Sequence, residues 1–139
     1  MSTDAVQRPT ASPARNLRRW WSAITALLMA AIFIEAAFAG AMLSGVGWAR
    51  AAHAATAALL VASTLAAGLT ALVTLRRAPH GANLGWTLLA LGAAVLLQTA
   101  LGKLTAHGGN LLWVHVPLGV ALLGFTAQAV AGARRLGGE

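Results

Sequence analysis

Among the polar side chains in the apolar stretches of this sequence, four come in two matched pairs. Glu35 precedes His53 by 18 residues, and Gln98 precedes His115 by 17. A glycine-containing turn separates the members of each pair, at residues 45–50 in the first and 107–110 in the second. In both, an apolar segment leaves, the chain turns, and a second apolar segment returns with a histidine near its start, so the two hairpins read as a repeat. An imidazole can ligate a metal or move a proton near neutral pH. A carboxyl or amide beside it can orient the ring through its other nitrogen. A glutamate inside an apolar span must be protonated, paired or near water, because an isolated buried carboxylate is costly.

The elements that position these residues follow from composition. The chain has 139 residues, of which 58% are hydrophobic and 9% charged. Its mean hydropathy is +0.72. A soluble domain would need far more charge on its surface, so this is an integral membrane protein whose main partner is the lipid bilayer. With no cysteine, disulfides, thiolate nucleophiles and cysteine-linked metals are excluded. The formal charge of +7 would suggest nucleic acid in a soluble protein. Here the arginines flank apolar segments and act as topology determinants, so no nucleic-acid partner is expected.

Residues 1–16 are polar, hold Pro9 and Pro13 and lack an apolar period, which predicts a disordered tail. Arg18, Arg19, Trp20 and Trp21 have the composition of a membrane interface. Spans are expected at residues 22–43, 51–75, 84–101 and 112–131, with a second short tail at 136–139. The run from 22 to 43 has about the 20 residues that a spanning helix needs and exceeds the roughly 7–15 of a signal-peptide core, so it reads as a retained span. Three short connections leave antiparallel neighbours as the easy arrangement. The expected fold is all-α, a four-helix transmembrane bundle over residues 17–135 running up-down-up-down. Gly40, Gly68, Gly85, Gly92, Gly119 and Gly124 place small residues where helices can approach closely in lipid. Eight of the ten basic residues, Arg8, Arg15, Arg18, Arg19, Arg76, Arg77, Arg134 and Arg135, fall on one side, and Arg50 and Lys103 on the other. The positive-inside rule then puts both termini in the cytoplasm of a multi-pass cell-membrane protein, with both histidine-bearing helix starts at the outer face.

In such a bundle the second and fourth helices are diagonal. With adjacent axes about 8–10 Å apart, two inward imidazoles on the diagonal can close around one iron. That geometry describes a six-coordinate b-type haem with His53 and His115 as axial ligands. Histidines at helix ends are also ordinary interfacial residues; the pair at matched depth is what points to a site. Glu35 and Gln98 either hydrogen-bond an axial imidazole or act as polar glue between helices. Arg50 and Lys103 either meet haem propionates or snorkel at the interface. His107 and Asn110 read as solvated turn residues, and His80 has no assigned role. No phosphate-cradling glycine loop, nucleophile elbow, HExxH helix or carboxylate pair is present, so whether the chain is an enzyme is open, and any chemistry must come from a bound cofactor.

The segment from Gln98 to Gly119, with a glutamine and a glycine before an outer loop and a histidine opening the next helix, resembles one four-helix half of the heme A synthase family. The Phe38-Ala39-Gly40 step is similar to one in small four-helix membrane proteins. The resemblance covers roughly residues 32–135 and implies paired histidines, here His53 and His115, as haem ligands near the outer face. This chain departs from the family in having four spans instead of eight and no outer-loop cysteine. Trp48-Ala49-Arg50-Ala51-Ala52 precedes His53 where the catalytic half carries a glutamate. Haem binding is carried over and the synthase activity is not. The expected function is electron transfer or redox sensing, alone, as a homodimer or with a membrane redox partner. The alternatives are a non-catalytic membrane subunit or scaffold, and a small transporter with Glu35 as its proton site.

Overall fold

Alanine and leucine dominate the apolar stretches, and both favour helix. The computed structural model describes residues 13–136, which form α1 (Pro13–Leu43), α2 (Ala49–Thr74), α3 (Gly81–Ala106) and α4 (Leu112–Arg134). All four helices are long and apolar enough to cross a membrane. The α1–α2 and α3–α4 turns lie at one end of the bundle, here the distal end. The α2–α3 turn shares the other, terminal end with the start of α1 and the end of α4.

Two expectations about the tails change. Residues 13–16 form the first turn of α1 instead of a tail. Proline suits that position because the first N–H groups of a helix have no intrahelical acceptor. Leu136, placed in a tail by its position, is 1% exposed and helps to close the core. Residues 1–12, which include Arg8, and residues 137–139 lie outside the described part.

Both distal turns are built by the same device. Gly45 (φ +84°) and Gly108 (φ +97°) take the left-handed conformation just past α1 and α3. Val46 N donates to Ala41 O at 3.0 Å and Gly45 N to Met42 O at 3.1 Å. Gly109 N donates to Leu104 O at 3.0 Å and Gly108 N to Thr105 O at 3.1 Å. These are matched Schellman closures, in which glycine avoids the Cβ penalty of a left-handed residue. Glu35 and Gln98 each lie eight residues before the last residue of their helix. The repeat seen in the sequence therefore extends to the backbone that closes each hairpin.

Around the bundle α1 packs on α2 and α4, α2 on α3, and α3 on α4, while the backbones of the diagonal pairs do not approach closely among the described residues. The α2–α3 seam is the closest. A Cβ at Gly68 would lie 2.8 Å from the backbone nitrogen of Leu89, one at Gly85 3.0 Å from that of Leu72, and one at Gly92 2.6 Å from the Leu65 side chain. Gly40 and Gly124 face open space, so they do not serve the close approach expected of them.

The core occupies only part of the bundle's height. One cluster at the terminal end includes Trp21, Leu75, Leu84, Leu88 and Leu136, and a second at mid-height contains Ile32, Leu60, Leu91, Val95 and Leu122. Thr25, Thr64 and Thr126 are fully buried, and each hydroxyl donates to the carbonyl four residues earlier, which satisfies it within its own helix. Beyond Ile32, Leu60, Val95 and Leu122 toward the distal end, Ala49 is the one buried residue among those described. The apolar filling stops where the polar residues begin.

Candidate functional site

Each helix brings one of the two matched pairs' side chains to the distal third: Glu35 from α1, His53 from α2, Gln98 from α3 and His115 from α4. All four are half-buried. His53 is the fifth residue of α2 and His115 the fourth of α4, so the two imidazoles start from nearly the same register on diagonal helices.

The two hairpins hold their histidines differently. In the first, His53 Nδ1 lies 3.0 Å from Glu35 Oε1, with the side chains 20% and 15% exposed. The carboxylate sits beside the ring nitrogen and off its N–H axis, so Nδ1 has a close neighbour without an aligned hydrogen bond. In the second, Gln98 Nε2 donates to the backbone carbonyl of His115 at 2.8 Å and leaves the ring alone. Two glycines make room for this arrangement. A Cβ at Gly119 would lie 3.0 Å from Gln98 Nε2, and one at Gly102 would lie 3.0 Å from His115 Cε1. The His115 ring therefore rests on the backbone of α3.

Four polar atoms, one from each helix, remain buried without a hydrogen bond: Glu35 Oε2, His53 Nδ1, Gln98 Oε1 and His115 Nδ1. A buried polar atom left unsatisfied costs about 1–3 kcal/mol. With Glu35 Oε1 3.0 Å from His53 Nδ1, these atoms place the bundle's buried unsatisfied polar groups at its distal end. Among the described residues, no group of three or more His, Cys, Asp or Glu side chains is placed to hold a metal ion. Bis-imidazole ligation of a haem iron asks for two, and the residues present suit it. The two histidines share a register on diagonal helices, and one ring has a carboxylate at Nδ1.

The other candidates lie at the rim. Arg50 and Lys103 are exposed, as are His107 and Asn110. His107 Nδ1 hydrogen-bonds the Lys103 carbonyl at 2.7 Å and so caps its own helix. His80 sits in the α2–α3 turn with a left-handed φ of 61°, at the end away from the site. Phe38 and Trp48 meet edge to face across the first distal turn, with ring centroids 5.8 Å apart. That contact and the seats at Gly102 and Gly119 have no signature in sequence spacing.

Compared with known proteins, the chain matches no family model, no curated protein and no solved structure. The functional reading therefore rests on the site itself.

Proposed function

We propose that this is a multi-pass cell-membrane protein, with both termini in the cytoplasm, that binds a b-type haem through His53 and His115 and serves electron transfer or redox sensing. The observation that carries the reading is the matched register of His53 and His115 on diagonal helices at the end where the buried core stops, with Glu35 Oε1 3.0 Å from His53 Nδ1. His53 and His115 would hold the group from diagonal helices. Glu35 would orient the His53 ring through Nδ1, the arrangement that fixes a ligating imidazole's tautomer and raises its basicity. Gln98 would hold the α4 backbone at His115, and through it the height of the second ring. Arg50 and Lys103 at the rim would supply cations for the macrocycle's carboxylates. When bound, haem iron supplies one-electron chemistry that no side chain of this chain provides. The proposal extends the likeness to one half of the heme A synthase family no further than haem binding.

The test is the absorption spectrum of the detergent-solubilised protein from haem-replete cells. It should show a reduced-minus-oxidised haem signal that disappears in His53→Ala and in His115→Ala. A colourless preparation, or colour that survives both substitutions, would refute the reading. One contact favours a second interpretation, a cofactor-free membrane subunit or scaffold. The interhelical bond from Gln98 to the His115 carbonyl is polar glue of the kind that merely holds spans together. In that case both alanine variants fold and keep their membrane partners.

A further inference from the structure

The terminal end carries a charge pattern that the proposed cofactor does not use. Three arginine pairs stand there: Arg18-Arg19 on α1, Arg76-Arg77 just after α2, and Arg134-Arg135 at the end of α4, all exposed. Beneath them the bundle is sealed. Trp21, Leu75, Leu84 and Leu136 are at most 5% exposed and belong to one packed cluster, so the guanidinium groups have no interior to enter. The one acidic residue among those described is Glu35, toward the opposite end, so none of the six arginines has a carboxylate partner among the described residues. Trp20 and Trp86, 71% and 63% exposed, stand near the same end and mark the membrane boundary.

We infer that the terminal end binds the phosphodiester headgroups of anionic phospholipids in the leaflet it faces. Guanidinium presents a planar fork of donors that matches phosphate oxygens two at a time. Three of the four helices have such a pair in or beside their terminal-end turns, so the headgroups have several anchoring points around one sealed apolar cap, at the depth where basic residues meet anionic lipid. The distal end has only Arg50 and Lys103, which makes the lipid preference one-sided.

Native mass spectrometry of the full chain, released from micelles containing phosphatidylglycerol and phosphatidylcholine in equal amounts, tests this. Phosphatidylglycerol should be retained in several-fold excess, and the excess should shrink as salt is raised. Replacing Arg76, Arg77, Arg134 and Arg135 with Gln should reduce that retention roughly tenfold or more. Arg50→Gln with Lys103→Gln should leave it unchanged. Equal retention of the two lipids, indifference to salt, or an equal loss in the distal variant would overturn the inference. The salt series on the unsubstituted chain decides the matter even if the fourfold variant does not fold. Free glycerol 3-phosphate should not displace the lipid; if it does, the site takes soluble phosphate and the lipid assignment fails. A short oligonucleotide that displaces the lipid at matched charge would overturn it in favour of a nucleic-acid partner.

Discussion

His53 and His115 occupy matching positions and are held by different means, a carboxylate at one ring and an amide at the other's backbone. With haem bound, Glu35→Gln should raise its reduction potential, because the His53 ring exchanges an anionic acceptor for a neutral one and becomes less basic; a redox titration showing no shift would remove Glu35 from that role. Gly119→Ala should push the Gln98 amide off the His115 carbonyl and cost about 1 kcal/mol of stability, the ordinary worth of such a bond. The same change in a Gln98→Ala background should cost less, and a double-mutant cycle measures the difference. Which residues meet was legible from spacing, since the length of each turn fixes the positions that face one another. Which atoms meet was not. Gln98 reaches a backbone carbonyl because Gly119 leaves space there, and an empty space has no letter in the sequence.

At the level of helices, stability resides most visibly in the α2–α3 seam. Adding a methyl group at Gly68 or Gly85 drives it into the facing backbone, so Gly68→Ala and Gly85→Ala should each destabilise by about 1–3 kcal/mol in thermal or detergent unfolding. Gly40→Ala and Gly124→Ala meet nothing and should be neutral or stabilise by about 0.5–1 kcal/mol through helix propensity. An equal loss at all four positions would mean that the seam is not the tight contact described. Composition announced four spans and their order, because apolar runs of bilayer length leave few alternatives. It did not say which glycines face a neighbour, since the rotation of a helix in lipid is set by packing on both sides and the apolar faces are nearly alike all round. The starts and ends of the helices were also misjudged. Proline at position 13 opens α1 where a break was expected, and all four helices run past the apolar runs that identified them.

The described residues form a sealed apolar bundle at one end and a more polar, less deeply buried one at the other, with most of their positive charge on the sealed side. Cysteine introduced at Asn110, which is exposed in the second distal turn, should react with an impermeant thiol reagent from outside intact cells. Cysteine at Pro79, exposed in the α2–α3 turn, should react only after permeabilisation; the reverse pattern would invert the molecule in its membrane. The architecture was legible because charge and hydropathy act over the whole chain, whereas the point at which the buried core stops depends on packing between residues far apart in the sequence. Electron paramagnetic resonance of the oxidised, purified protein asks most directly whether two imidazoles share one iron. Low-spin six-coordinate ferric haem is the expected signal, turning high-spin or vanishing in His53→Ala and in His115→Ala. A high-spin signal or none in the unsubstituted protein would contradict it.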